Sequence, residues 1–360
     1  MRCTAIVALA GLLLLGACSS SSRDHARSST STSGGSASSE TVRSPATATI
    51  AWSRLHNPLY RDRDHAVKDP ALVATAGGWV ALFSLVDSHG SWRVGIARSR
   101  DLTAWSPATM LPHDPATEGE ASPDVVRAPD GTFVVTYQSF VHDRAGSQSK
   151  LYATITTDFQ RFSAPTRLLA NVLNSPADRL IDPALVYSPA GLLLGFKVGT
   201  TDAGATQHFE LARSPSGALS GPWQLLGRPG ITVYGDTIEN YEFLDIDGHR
   251  ALLATSNQLD RPELFELTGA ANDPKGWLHW SPARELVVPQ EAWNPGTGLT
   301  GATFEHANCA FLVGGGAKLS GFYYLVYGDS PALTTFAGAG PAVLGIARSA
   351  DLVHWSVPPR

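Results

Sequence analysis

A five-residue phrase occurs twice in this chain, as Asp69-Pro70-Ala71-Leu72-Val73 and Asp182-Pro183-Ala184-Leu185-Val186, with a degenerate copy at Ser122-Pro123-Asp124-Val125-Val126. A turn and an apolar run follow each copy: Gly77-Gly78-Trp79-Val80-Ala81-Leu82-Phe83, Asp130-Gly131-Thr132-Phe133-Val134-Val135 and Gly191-Leu192-Leu193-Leu194-Gly195-Phe196. This is one β-hairpin written three times. Self-similarity at a long period marks a repeat architecture. A second phrase recurs further along each unit. Gly95-Ile96-Ala97-Arg98-Ser99 leads to Asp101-Leu102-Thr103-Ala104-Trp105, and Gly345-Ile346-Ala347-Arg348-Ser349 leads to Asp351-Leu352-Val353-His354-Trp355. Weaker versions end at Phe162 and Trp223.

A hairpin, a third strand and a tight turn closed by an aromatic make a four-stranded blade, with the aromatic filling the gap between neighbours. Unit starts near Asp69, Asp124, Asp182, Glu239 and Glu305 are 55, 58, 57 and 66 residues apart. Period-two alternation dominates from about residue 66, with no convincing amphipathic helix. The expectation is an all-β fold, a five-bladed β-propeller of four-stranded antiparallel blades over 66–110, 118–168, 178–230, 236–290 and 300–358. The segment Thr49-Ile50-Ala51-Trp52 is expected to add the closing strand to the last blade.

The N-terminus reads as an address. Arg2 precedes a short apolar run, Ile6 to Leu15, and Leu15-Gly16-Ala17-Cys18 has a small-residue cleavage pattern ending in cysteine. This resembles the lipobox of bacterial lipoproteins: residues 1–17 as signal peptide and Cys18 as the lipidated first residue. Residues 18–47, rich in Ser, Thr, Ala and Gly, form a disordered tether, and 48–360 the folded domain. The expected location is the bacterial cell envelope, with the domain outside the cytoplasm. Cys309 then has no cysteine partner for an internal disulfide and is expected to pack as a small hydrophobe. A net charge of −5 with no basic stripe argues against nucleic acid as a partner. A monomer held to a membrane through Cys18 is expected.

Asp69, Asp182 and Glu239 each open an inner strand in this scheme, so they converge at one mouth of the channel. An Asp before Pro is by itself a common turn residue. The register of Asp69 with Asp182 and Glu239 is what singles it out. Converging carboxylates suit glycoside hydrolysis, where one group donates a proton to the leaving oxygen and another activates water. A third can raise the acid's pKa by like-charge repulsion. Asp124 reads as a structural turn residue. Lys68, Arg179 and Lys197 are candidates to bind hydroxyls or a carboxylate, and Tyr241, Phe304, Trp293 and Phe140 to stack on sugars.

These motifs resemble the five-bladed propeller glycosidases of glycoside hydrolase families 43 and 62, which include arabinofuranosidases, arabinanases and xylosidases. The resemblance covers residues 57 to 358. It implies that Asp69, in Lys68-Asp69-Pro70, is the general base. Asp182, in Arg179-Leu180-Ile181-Asp182-Pro183, tunes the acid and orients substrate. Glu239 is the general acid, although the family commonly has Glu-Gly-Pro where this chain has Glu239-Asn240-Tyr241. Glu242 competes for that role, and strand alternation counts against it. Ala121 stands where the family often has a platform Trp. His306 matches a histidine that sits near the channel axis beside a calcium, sodium or water. No cofactor is required, and a structural calcium or sodium in the central channel is compatible. The implied activity is inverting hydrolysis of arabinofuranosides or xylosides in an oligo- or polysaccharide, with the Asp69 and Glu239 carboxyls roughly 6.5–9.5 Å apart. The alternative is a non-catalytic glycan-binding propeller lipoprotein. A transglycosylase or phosphorylase ranks last, because no phosphate cradle is visible.

Overall fold

Five antiparallel units follow one another along the chain. The structure, a computed structural model, describes residues 50–113, 117–141, 148–175, 178–200, 207–231, 238–256, 261–291, 307–329 and 342–359. Blade one holds β1 (Ala66–Thr75), β2 (Gly78–Val86), β3 (Trp92–Ser99) and β4 (Thr109–Met110). Blade two holds β5 (Gly119–Arg127), β6 (Phe133–Val141), β7 (Gln148–Thr156) and β8 (Thr166–Arg167). Blade three holds β9 (Asp178–Ser188), β10 (Gly191–Thr200), β11 (His208–Ser214) and β12 (Gln224–Gly227). Blade four holds β13 (Ile238–Ile246), β14 (His249–Ser256), β15 (Arg261–Glu266) and β16 (Arg284–Glu285). Blade five holds β17 (Asn308–Leu312), β18 (Tyr323–Asp329), β19 (Val343–Ser349) and β20 (Trp355–Ser356). Each strand pairs antiparallel with the next in its blade. Among the described residues there is no α-helix, only two short 3-10 turns. This is a five-bladed β-propeller of four-stranded blades, and its strands fall within the expected unit bounds.

The apolar faces meet between blades. One cluster joins Val67, Phe83 and Ile96 of blade one to Val135 and Tyr137 of blade two, and also to Val326 and Ile346 of blade five. Further clusters join blades two and three around Leu151, Leu185 and Trp223, and blades three and four around Phe209, Phe243 and Trp277. A fourth joins blades four and five around Leu253, Leu325 and Trp355. Trp223 and Trp355 thus fill gaps between sheets as their recurring place at the unit's end predicts. Burying a ring of this size contributes about 2–3 kcal/mol, which a blade too thin to bury both its faces alone requires.

The recurring turn has a simple local cause. Ser99 Oγ accepts the Leu102 N–H at 2.8 Å and Thr156 Oγ1 accepts the Phe159 N–H at 2.8 Å. The next acidic side chain caps the following amides. Asp158 Oδ1 takes Gln160 and Arg161 N–H at 2.8 and 2.9 Å, and Asp351 Oδ1 takes Val353 and His354 N–H at 2.9 and 2.8 Å. These short polar side chains mimic a backbone turn.

The closing contact differs from the expectation. Trp52–Arg54 is a 3-10 turn, not a strand. The edge of β19 is covered instead by Leu59 and Tyr60, with Leu59 N–H to Leu344 O at 2.7 Å and Leu344 N–H to Tyr60 O at 3.0 Å. Trp52 stays on blade five through its ring, 5.9 Å from that of Tyr324 and 4.4 Å from the Arg348 guanidinium. Trp52 thus serves packing rather than strand pairing.

Candidate active site

Each inner strand is broken at the same place. The ladder shifts between Lys68 and Ala71, Ala121 and Asp124, Glu239 and Glu242, and Asn308 and Phe311, with the matching shift opposite β9 between Gly195 and Lys197. One residue in each bulge is left-handed: Asp69 (φ 50), Ser122 (φ 48), Asp182 (φ 53), Asn240 (φ 51) and Cys309 (φ 50). Such a backbone is costly for residues other than glycine and least so for Asn and Asp, and it concentrates at functional sites. All five residues line one open hollow of about 300 Å³, together with Pro70, Pro123, Asp124, Pro183, Tyr241, Ala310 and Phe311.

This register corrects the sequence alignment in blade four. Asn240, not Glu239, is the mate of Asp69 and Asp182, and Glu239 stands one residue earlier, at the place of Lys68. Ser122, not Asp124, is the mate in blade two. In blade five the mate is Cys309, four residues beyond Glu305.

Asp69 is 6 % exposed. Its Oδ2 accepts from Ser84 Oγ at 2.6 Å and lies 3.5 Å from Ser122 Oγ. Its Oδ1 accepts from Asn240 Nδ2 at 3.1 Å and lies 3.8 Å from Lys68 Nζ. Glu239 Oε2 accepts from Lys197 Nζ at 3.0 Å. The Asp182 N–H donates to Gln138 Oε1 at 2.8 Å. Second-strand side chains of blades one, two and three therefore reach the bulge of the following blade: Ser84 to the Ser122 N–H at 2.8 Å, Gln138 to Asp182, and Lys197 to Glu239.

Three carboxylates thus share their surroundings with two buried ammonium groups. Burial opposes the charge on Lys68, but Asp69, with Glu239 and Asp182 among the other neighbours, outweighs it and holds its pKa above the ordinary lysine value. Burial, then the charge of Glu239, pushes Asp182 up to about 6. The carboxyl raised towards neutrality is therefore Asp182, while Glu239 is paired with Lys197. Cys309 is buried as expected, but it also faces the site: burial, then Asp69, pushes its thiol well above the usual range.

Asp124 and Glu242, the competitor of Glu239, have structural partners. Asp124 Oδ2 accepts the Leu185 N–H at 3.2 Å and Glu242 Oε2 accepts the Leu312 N–H at 2.6 Å, each bonding an inner strand to the next blade's. Burial pushes Asp124 up to about 7 and Glu242 well above the carboxylate range. Tyr241 is not a free stacking platform. It is 4 % exposed, its hydroxyl donates to Ile238 O at 2.6 Å, and its ring lies 4.2 Å from that of Phe209. Burial pushes that hydroxyl's pKa well above its ordinary value. Arg179, half-buried where β9 bridges Ser149, is not among the residues lining the hollow. Phe140 packs against Trp92 with centroids 6.3 Å apart. Phe304, His306, Trp293 and Cys18 lie outside the described residues. No cluster of three His, Cys, Asp or Glu suited to a metal occurs among the described residues.

Reasoning from the sequence missed Ser84, Ser122 and Asn240. Aligning Ile181-Asp182-Pro183 with Glu239-Asn240-Tyr241 on the residue types that tolerate left-handed backbone would have found Asn240.

No protein-family model matches the chain, and no curated protein matches it in sequence. Solved structures match in shape. A glycoside hydrolase family 130 protein, described among mannoside phosphorylases and hydrolases that target β-1,2 mannosidic linkages in Candida mannan, superposes with a TM-score of 0.59 at 13 % identity, over 88 % of this chain and 99 % of that one. An α-L-arabinofuranosidase from Lactobacillus brevis gives 0.58 at 13 % identity, over 86 % and 99 %. A family 43 endo-arabinanase from Bacillus licheniformis gives 0.53 at 13 % identity, over 82 % and 100 %. At such identities the likeness is one of fold, and the chain has the propeller fold of the family 43 and 62 glycosidases.

Proposed function

We propose that this protein is an inverting glycoside hydrolase acting on pentose-containing glycans, arabinofuranosides or xylosides. The observation that carries the reading is the meeting of Asp69, Asp182 and Glu239, from blades one, three and four, around two buried lysines, with Asp182 pushed up to about 6. In this mechanism Asp69 deprotonates a water that attacks the anomeric carbon. Glu239, whose side chain is 19 % exposed against 6 % for Asp69, protonates the departing oxygen. Asp182, raised by its burial and by the charge of Glu239, keeps a proton available for the acid and hydrogen-bonds the sugar. Lys197 orients Glu239, and Lys68 balances the charge of the base. The fold neighbours that act on arabinan, arabinofuranosides and xylan support the choice of pentoses. The domain is carried on the cell envelope by a lipid on Cys18 and the tether through residue 47, with no cofactor needed for the chemistry.

The test is hydrolysis of an aryl α-L-arabinofuranoside and an aryl β-D-xyloside by the full chain, beside Asp69→Ala and Glu239→Gln. Loss in both variants is expected, with the product of inverted anomeric configuration. Activity that survives Glu239→Gln would reassign the acid. The close Lys197–Glu239 pair favours a second reading as a glycan-binding propeller. Binding of arabinan or xylan without turnover by the wild type would select it.

A further inference from the structure

We propose that Asn240 is a positioning residue: a neutral tie across the channel that holds the aspartate of blade one to the strand of blade four carrying Glu239, and so sets the spacing of the two carboxyls. The inference rests on the assignment of Asp69 as base and Glu239 as acid. Asn240 Nδ2 donates to Asp69 Oδ1 at 3.1 Å, over a sequence separation of 171 residues. It does so from a left-handed bulge (φ 51), a backbone that aims its side chain at the same hollow as those of Asp69 and Asp182. Glu239 is the next residue back, so a bond that locates Asn240 also locates the acid's Cα.

The other end of the Asp69 carboxylate is held just as definitely. Ser84 is fully buried. Its Oγ accepts the Ser122 N–H at 2.8 Å, so its single proton is left to point at Asp69 Oδ2, 2.6 Å away. One oxygen is therefore fixed from blade one and the other from blade four. An amide suits the second place because it donates without charge. A lysine there would add a third ammonium to the site, and an aspartate would repel the base. The glycine common in the resembling enzymes has no side chain to make this bond. Inverting hydrolysis needs a water between base and substrate, and so depends on the distance this tie controls.

The test is Asn240→Gly in the full chain, because glycine adopts φ 51 without strain and folding is preserved. Expected is a loss of about tenfold in kcat with KM changed far less. The acidic limb of the pH–activity curve should also move to higher pH, because the ionised base has lost a donor. Asn240→Asp, of the same shape but opposite polarity, should move the limb further in the same direction. Wild-type kcat and an unmoved limb in Asn240→Gly would overturn the proposal. A readout independent of turnover is hydrogen exchange of the Asn240 side-chain amide in ¹⁵N-labelled protein. Protection in the wild type that disappears in Asp69→Ala upholds the tie, even if no glycoside is hydrolysed and the enzymatic reading fails. An unprotected amide in the wild type, or one still protected in Asp69→Ala, refutes it.

Discussion

Two sets of aspartates recur in this molecule, and they stand in opposite surroundings. The turn set, Asp101, Asp158 and Asp351, sits at the outer end of the blades, each followed by a left-handed residue: Leu102, Phe159 and Leu352. The channel set, Asp69 and Asp182, is itself left-handed. In the turns, hydrogen bonds hold the carboxylate below its usual range: the side chains of Thr103 and His354 first at Asp101 and Asp351, and the Arg161 and Gln160 N–H groups at Asp158, which lies at about 2. In the channel, burial lifts Asp182 to about 6, and Asp124 just beyond the ring to about 7. Repetition in sequence marked both sets equally. Solvent exposure and partners separate a group that terminates a strand from one able to hold and release a proton near neutrality.

The largest expected effect that could break this contrast is on turnover. Asp69→Asn should lower hydrolysis by roughly 10²–10⁴-fold, the range for loss of a general base, without lowering the melting temperature much. A variant as active as wild type would place Asp69 with the turn set. Stability against pH comes next. The folded pKa of Asp124 lies above its unfolded value of about 3.9, so the folded state holds that proton more tightly. Its contribution is complete below about pH 4 and is lost as pH rises towards 7. Asp124→Asn should flatten that decline by on the order of a few kcal/mol, measured by urea unfolding at pH 4.5 and pH 8. The turn set has the opposite sign: for Asp158, stability is present above about pH 4 and is lost as pH falls through about 2.

Asp182 sharpens the contrast within the channel itself. With its proton leaving near pH 6, activity should fall on the alkaline side of that value. Asp182→Asn should remove or displace that limb in a pH–kcat/KM profile, and an unchanged limb would assign the proton elsewhere. A buried carboxylate away from the channel offers a control. Glu263 is 1 % exposed, neither of its oxygens has a hydrogen-bond partner among the described residues, and burial raises it to about 7. Glu263→Gln should stabilise the fold at pH 8 more than at pH 5 and leave turnover alone, seen by thermal melts at both pH values. The smallest effect belongs to the turns. Asp351→Ala should lower the melting temperature slightly and leave the pH–activity curve unmoved.

The blades were legible because a repeat carries its own punctuation. The Gly turn after Val73, the Ser-x-Asp turn from Ser99 and the terminal aromatic each act within a few residues, and local rules govern them. Asp69 and Asp182 were legible because they stand inside the repeated phrase. Glu239 was aligned with them on charge and unit spacing. The bulge obeys backbone geometry instead, and there an asparagine can be the mate of an aspartate. The burial of Tyr241 was not legible, because exposure cannot be read from an aromatic's place in a strand, and Phe209, which covers it, belongs to another blade.

The amino-acid sequence by itself determined the number of blades, their bounds and the matching places of Asp69 and Asp182 in the inner strands, because these depend on short-range periodicity and turn chemistry. Only the tertiary structure decided that Asn240 reaches Asp69, that Lys197 pairs with Glu239, and that the raised pKa falls on Asp182. Those facts join residues 171, 42 and 57 apart or set them under a common burial. Electrostatics and hydrogen bonding act through space, and the space at the channel mouth exists only once the blades have assembled.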